Sequence, residues 1–157
     1  MTKPDFVYVT YISTTPQKLW QALVDPELMR AYWIDPTGDD PGHVNLSDWQ
    51  PGSPWQHQRQ DASRAADIVG EVVEITPPSR LVLTWARPKD AADAAKHSRV
   101  TFDIAPQGDV LVRLTVTHDE LDQQMLLGIS GGWPVVLSNL KTLLETGRGL
   151  PKTTLAA

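Results

Sequence analysis

The sequence contains no cysteine and has fewer positive than negative side chains. Without cysteine among the 157 residues, disulfides, thiolate metal sites, iron–sulfur clusters and a cysteine nucleophile are all excluded. Lysine and arginine total 14 against 19 aspartates and glutamates, which gives a formal net charge of −5. We expect no nucleic-acid partner, because phosphate contacts need clustered lysine and arginine.

Apolar segments of membrane length are also missing from the sequence. Residues 1–5 are polar and interrupted by Pro4, and no apolar core of a signal peptide follows them. No uninterrupted apolar stretch approaches the ~20 residues of a transmembrane helix. We therefore expect a cytoplasmic protein without membrane contact. The length suits one domain over residues 1–157, with a loosely ordered tail from about residue 149.

The order of hydrophobic patterns predicts a strand, two short helices and a group of strands. Residues 6–12 are rich in aromatic and β-branched side chains, which favours a strand. Pro16 and Pro26 each follow a residue that can cap a helix, so each is expected to open a short helix. The alanine-rich stretch 89–96 fits either a helical turn or a mobile loop. Further strands are expected at residues 43–46, 55–59, 68–75, 81–85, 99–104 and 110–117.

An apolar stripe at helical spacing runs through the last third of the chain. Its members are Leu121, Met125, Ile129, Trp133, Leu137 and Leu140. Three glycines and Pro134 interrupt the stripe, so we expect either a kinked helix or a short helix, a break and a main helix from about Trp133. Gly147 is expected to cap its C-terminus. Grouped strands with helices at the ends predict an α+β, helix-grip fold, in which a curved antiparallel sheet wraps around the C-terminal helix.

Three motifs along the chain resemble those of a known family. Residues 15–23 followed by Asp25-Pro26-Glu27 are similar to its opening helices, and residues 132–144 are similar to its final helix. The most specific motif combines Gly70-Glu71-Val72-Val73-Glu74-Ile75, Pro77-Pro78 and Arg80-Leu81-Val82-Leu83-Thr84-Trp85. Together they resemble the heat-shock protein 90 ATPase activator homologue family of the START-like superfamily, which includes polyketide cyclases and the major birch pollen allergen. The resemblance leaves out residues 35–55 and 89–96, and it implies a helix-grip fold more strongly than any one activity.

No set of titratable side chains in the sequence has the spacing of a catalytic or metal site. The four histidines lie far apart, without metal-ligand spacing. Strand alternation predicts that Glu71 and Glu74 lie on opposite faces of their strand, too far apart for an acid–base pair. Ser130 stands in a Gly-x-Ser-x-Gly pattern but lacks the preceding strand that a nucleophile turn requires. We therefore assign no catalytic residue, no metal and no cofactor.

The six tryptophans are the strongest functional signal in the sequence. In the family that the chain resembles, the equivalents of Trp33 and Trp133 lie near a cavity between sheet and helix. These two and Trp85 either line that cavity or belong to the core, while Trp20 is interpreted as structural. His118 is either a polar group in the cavity or a strand-end histidine bonded to the backbone. The predicted cavity residues are Trp33, Trp55, Trp85, Phe102, Leu114, His118, Met125, Trp133 and Leu137.

These patterns predict that the protein binds a hydrophobic or aromatic small molecule in an internal cavity between the sheet and the C-terminal helix. Arg59 or Arg99 would help to orient the molecule. One alternative is a co-chaperone-like module that binds a chaperone, and another is a polyketide cyclase-like enzyme, which would need a polar, titrating cavity. An exposed first strand could also pair with a second copy in a homodimer.

Overall fold

The computed structural model describes residues 6–153. Within them, seven strands form one antiparallel sheet in the order β1-β7-β6-β5-β4-β3-β2. The concave face of the sheet, the two short helices and the long C-terminal helix together enclose the core. In chain order, the strands and α-helices are β1 (Phe6–Ile12), α1 (Pro16–Val24), α2 (Pro26–Tyr32), β2 (His43–Ser47), β3 (Pro54–Arg59), β4 (Ala66–Thr76), β5 (Arg80–Trp85), β6 (Ser98–Pro106), β7 (Val112–Asp119) and α3 (Gln123–Thr146).

The two short helices begin where the sequence predicts, and for the predicted reason. The Thr15 hydroxyl accepts a hydrogen bond from the backbone N–H of Lys18, and the Asp25 carboxylate accepts one from Glu27. A proline stands at the start of each helix, where its missing N–H leaves no hydrogen bond unmade. The chain therefore bends at Asp25, which ends α1 and caps α2.

The C-terminal helix is continuous from Gln123 to Thr146, so the expected alternative of two helices separated by a break is wrong. Pro134 lies inside the helix, and its ring removes a single backbone hydrogen bond. The buried stripe of Ile129, Trp133, Leu137 and Leu140 packs on the core along this whole stretch. Because tertiary packing supplies most helical stability, this burial outweighs the interruption. Gly147 ends the helix at a φ of 86°, as predicted.

A bulge in β4 changes which of its side chains share a face. Val72 lies opposite Leu83 in the register, whereas Glu74 lies opposite Val82, so Val73 is an extra residue. Val82 and Leu83 are consecutive residues of β5, so their side chains point to opposite faces of the sheet. The side chains of their partners, Glu74 and Val72, therefore also point to opposite faces. Glu71 and Glu74 consequently share a face, and the prediction that they lie on opposite faces is wrong.

Residues 150 and 153 form hydrogen bonds with α3 and with the loop after α2. The backbone N–H of Leu150 donates to Oδ1 of Asn139 at 2.7 Å, and Nδ2 of Asn139 donates to the carbonyl of Ile34 at 2.8 Å. The N–H of Thr153 bonds to the carbonyl of Pro36 at 2.7 Å. These hydrogen bonds connect residues 150 and 153 to the rest of the domain. The loose order of the tail stays a prediction, and its last four residues lie outside the described part of the chain.

The stretch 89–96, for which the sequence left two alternatives, forms two short 3₁₀ turns, Pro88–Asp90 and Ala94–Lys96. Arg87 joins this segment to α3 through a two-pronged ion pair with Asp122, at 2.9 and 3.2 Å. Across residues 6–153, none of the helices combines the length and apolarity that crossing a bilayer requires.

Strand β1 forms one edge of the sheet, with Val7, Val9 and Tyr11 exposed on its outer face. Near its end, Nζ of Lys141 donates a hydrogen bond to the Tyr11 carbonyl at 2.6 Å, which covers part of that edge. Pairing of this strand with a second copy stays a prediction.

Candidate functional site

Aromatic rings from four strands and two helical segments meet where the sheet faces α3. Trp133 lies 5.4 Å from Trp33, 5.6 Å from Trp85 and 5.9 Å from Phe102, measured between ring centroids. We call this group the aromatic cluster; its members are Trp33, Trp55, His57, Trp85, Phe102, His118 and Trp133. The structure thus brings together the predicted cavity residues that carry rings.

His118 is fully buried in the aromatic cluster and uses both ring nitrogens in hydrogen bonds. The indole N–H of Trp133 donates to Nδ1 at 3.1 Å, and Nε2 lies 2.8 Å from Oγ of Ser98. Because the Ser98 hydroxyl donates its one proton to the carbonyl of Trp85, it accepts from His118, which assigns the proton of the ring to Nε2.

Burial lowers the pKa of His118 to about 4, since the low-dielectric surroundings disfavour the imidazolium form. The ring is therefore neutral at pH 7, with its Nδ1 lone pair occupied by Trp133 and its Nε2 proton by Ser98. His118 consequently acts as a bridge between β6, β7 and α3. Both sequence interpretations of His118 miss this role, because its two partners are side chains from distant elements.

His57 is a second buried histidine, and the sequence did not predict its burial. Its Nδ1 lies 2.7 Å from Oδ1 of Asn45, the residue directly opposite on β2. The rings of His57 and His43 stack at 4.1 Å, and the edge of Trp33 contacts His57 at 4.7 Å. Burial first, and then the charge of His43, lower the pKa of His57 to about 3.

The two arginines that were expected to orient a ligand have other positions. Arg59 pairs with Asp67 at 2.8 Å, and the same carboxylate contacts Nε2 of His43 at 2.7 Å. Arg99 is exposed on β6, one residue before the buried Val100. Neither arginine lines the interior, so nothing in the structure assigns them the predicted role.

The interior space beside the aromatic cluster is small. It encloses about 10 Å³ between Phe102, Trp133 and Leu137, which is room for one water at most. Leu114 is fully buried beneath the sheet, and Met125 is half-buried in the first turn of α3. In the part of the chain that the structure describes, the predicted cavity residues therefore leave only this small space between sheet and helix, and a ligand site there stays a prediction.

A ligand-sized space opens instead beside the β2–β3 hairpin. This cleft has a volume of about 960 Å³ and is bounded by the α1–α2 junction, β2 to β4 and the loop of the two 3₁₀ turns. Its lining residues are Val24, Pro26, Asn45, Leu46, Ser47, Asp48, Trp49, Gly52, Pro54, Trp55, Gln56, Val69, Gly70, Glu71, Ala91 and His97. Of the nine predicted site residues, Trp55 alone is in this lining.

Trp49 separates the cleft from the interior space, because it and Asn45 line both. Its backbone has a φ of 54°, a conformation that costs a bulky residue roughly 1–2 kcal/mol. The half-buried indole packs against the core, and the Ser47 hydroxyl accepts a hydrogen bond from the backbone N–H of Trp49 at 3.0 Å. Trp49 was not among the predicted site residues; it precedes the Gln50-Pro51-Gly52 turn and belongs to neither of the strands expected at residues 43–46 and 55–59.

Gly70 shapes the back wall of the cleft. A Cβ atom at this position would lie 1.9 Å from the carbonyl oxygen of Thr84 and 2.5 Å from Nε1 of Trp55. The missing side chain lets the Trp55 indole reach across β4 and donate to Thr84 at 2.8 Å. This close approach is the physical reason for glycine in the motif that begins at Gly70.

In residues 6–153, no group of three or more histidine, aspartate or glutamate side chains is placed to hold a metal ion. The polar groups that line the cleft are amide, hydroxyl, carboxylate, imidazole and indole side chains among apolar ones. Such a surface can bury an apolar molecule and bond to a few of its polar atoms.

A single antiparallel sheet curved around one long helix, with short helices after the first strand, defines the helix-grip fold. The solved structures with this fold include CalU16 from Micromonospora echinospora, which is 20% identical, with a TM-score of 0.70 over 94% of this chain and 77% of that one. PFC0360w, an HSP90 activator from Plasmodium falciparum, is also 20% identical, with a TM-score of 0.70 over 89% and 95% of the two chains. MLL2253 from Mesorhizobium loti is 23% identical, with a TM-score of 0.69 over 90% and 96%.

The sequence itself matches the family described as Activator of Hsp90 ATPase homolog 1-like protein over residues 13–145. The chain belongs to this family, as its three motifs predicted. A search of curated protein sequences finds no match. At these low identities the similar structures establish the fold, and the ligand or partner has to be argued from the site.

Proposed function

We propose that this protein binds a hydrophobic or aromatic small molecule in the cleft beside the β2–β3 hairpin. The observation that carries the proposal is the cleft itself. Its volume of about 960 Å³ lies at the upper end of small-molecule sites, which run from about 300 to 1,000 Å³. Trp49 presents a half-buried indole to this space, together with the apolar side chains of Val24, Leu46 and Val69.

Burial of apolar area would drive the binding. A ligand that buries about 200 Å² of apolar surface gains about 5 kcal/mol before ordering costs, at roughly 25 cal/mol per Å². Polar atoms of the ligand can bond to Asn45, Ser47 and Gln56 of the lining. The closed aromatic cluster supports this lining, since Asn45 is fixed by His57 at 2.7 Å.

Replacing Trp49 tests the proposal. Native mass spectrometry and tryptophan fluorescence would first identify a ligand from a panel of fatty acids, flavonoids and sterols. Trp49→Ala is expected to weaken its binding at least tenfold, because each 1.4 kcal/mol of lost contact costs about a factor of ten. Trp20→Ala is the matched control, since Trp20 is also partly buried against the core but lies outside the cleft lining. We expect this control to retain the wild-type affinity.

Two results would contradict the proposal. The first is the absence of any bound species or spectral change across the panel. The second is an affinity that responds to Phe102→Leu in the aromatic cluster and is unchanged in Trp49→Ala, which would move the ligand to the interior space.

A second candidate is a chaperone-binding module. It is supported by membership of the Hsp90 activator-like family and by similarity to the structure of PFC0360w, an HSP90 activator from Plasmodium falciparum. The test is a pull-down with purified Hsp90, followed by its ATPase rate with and without this protein. A stable complex and a raised ATPase rate would favour this candidate, and their absence would remove it.

A further inference from the structure

From the charges around the cleft, we propose that its ligand is an organic cation, an ammonium-bearing molecule with a flat or bulky apolar body. The inference deepens the proposed function and rests on it. Asp48 and Glu71 are both exposed residues of the cleft lining. None of the lining residues is a lysine or an arginine.

These two carboxylates differ from most others in the described part of the chain. Among residues 6–153, neither side chain forms an ion pair or a hydrogen bond. Arginines pair with the carboxylates of Asp67, Glu74, Asp103 and Asp122, all outside the cleft. Within the described residues, the two carboxylates of the cleft therefore have no ion-pair partner.

Positive side chains close to the cleft are directed elsewhere. Lys89 and Lys96 flank its rim in the sequence but line a separate depression against the start of α3, together with Asp90 and Asp122. His97, on the rim, places Nε2 3.1 Å from the backbone carbonyls of Asp90 and Ala91, to which it donates. Residues 35–55, which supply much of the lining, contain four aspartates and no lysine or arginine.

The aromatic lining adds to the same preference. Trp49 directly follows Asp48, and an ammonium group over an indole face is attracted by the negative potential of the ring. The apolar body of such a cation would contact Leu46 and Val69, which share their face of the sheet with Glu71. A carboxylate on the same body would be repelled by the same groups.

Three probes with one ring system test the charge preference: 1-naphthylmethylamine, 1-naphthylmethanol and 1-naphthoate, titrated calorimetrically at about pH 7.5. The amine is expected to bind about tenfold more tightly than the alcohol, and the carboxylate more weakly than either. Raising the salt from about 50 to about 300 mM NaCl should reduce the advantage of the amine, because these charges are exposed to solvent.

Glu71→Gln and Asp48→Asn are each expected to reduce the affinity for the amine about threefold and to leave that for the alcohol unchanged. Asp109→Asn in the β6–β7 turn is the matched control, since it removes the same charge from an exposed site away from the cleft. Equal affinities for the amine and the alcohol in the wild type would overturn the cationic preference and leave the proposed function standing. Failure of all three probes and of the wider panel would overturn both.

Discussion

Acidification from about pH 7.5 to about pH 5 is expected to lower the free energy of unfolding by about 2 kcal/mol through His118, and by a similar amount through His57. Their pKa values in the folded protein are about 4 and about 3, against 6.5 for an ordinary histidine. Between these values the unfolded chain binds more protons than the folded protein. Stability is therefore fully present above pH 6.5 and is lost as the pH falls towards the folded values.

Urea unfolding at the two pH values measures this loss directly. In His118→Gln, where the amide can still bond to Trp133 and Ser98, the loss on acidification is expected to be about 2 kcal/mol smaller than in the wild type. His57→Gln should give a similar reduction. If both variants lose as much stability as the wild type, the two rings are not held neutral in the folded protein.

Gly70→Ala is expected to lower the free energy of unfolding by about 3 kcal/mol, towards the upper end of overpacking effects. The added Cβ would lie 1.9 Å from the backbone oxygen of Thr84, and a paired strand cannot move away without losing hydrogen bonds. The bond from the Trp55 indole to Thr84 would be lost at the same time.

Gly128→Ala provides the matched control for Gly70→Ala. Gly128 lies exposed in α3 with nothing within 4 Å of an added Cβ, so alanine should raise stability by about 0.5–1 kcal/mol through helix propensity. Denaturation curves of both variants compare the two effects. Equal changes would show that the close approach at Gly70 does not determine its identity.

The course of the backbone could be predicted because its signals are local. Thr15 before Pro16 and Asp25 before Pro26 cap their helices within a few residues, and Gly147 ends α3 by its own conformation. The bulge at Val73 left no such signal, since it depends on how β4 pairs with β5. This one extra residue was enough to make the predicted placement of Glu71 and Glu74 on opposite faces wrong.

The site could be predicted only in part, because it depends on how distant side chains fill space. The sequence identified the rings of Trp33, Trp85 and Trp133 as neighbours of the sheet and helix. Whether they leave a cavity depends on how closely the rings pack. The ring centroid of Trp133 lies 5.4 Å from that of Trp33 and 5.6 Å from that of Trp85, and no sequence pattern encodes these distances. The cleft itself escaped prediction because residues 35–55 fit no motif of the family.

The side-chain N–H signals of the six tryptophans in a ¹H–¹⁵N correlation spectrum offer the most direct test of binding in the cleft. Each signal can be assigned by substitution and followed while a ligand found by native mass spectrometry is added. Binding in the cleft is expected to shift the signals of Trp49 and Trp55 and to leave that of Trp20 unchanged. Shifts confined to Trp33 and Trp133, with Trp49 unaffected, would contradict it and place the ligand between the sheet and α3.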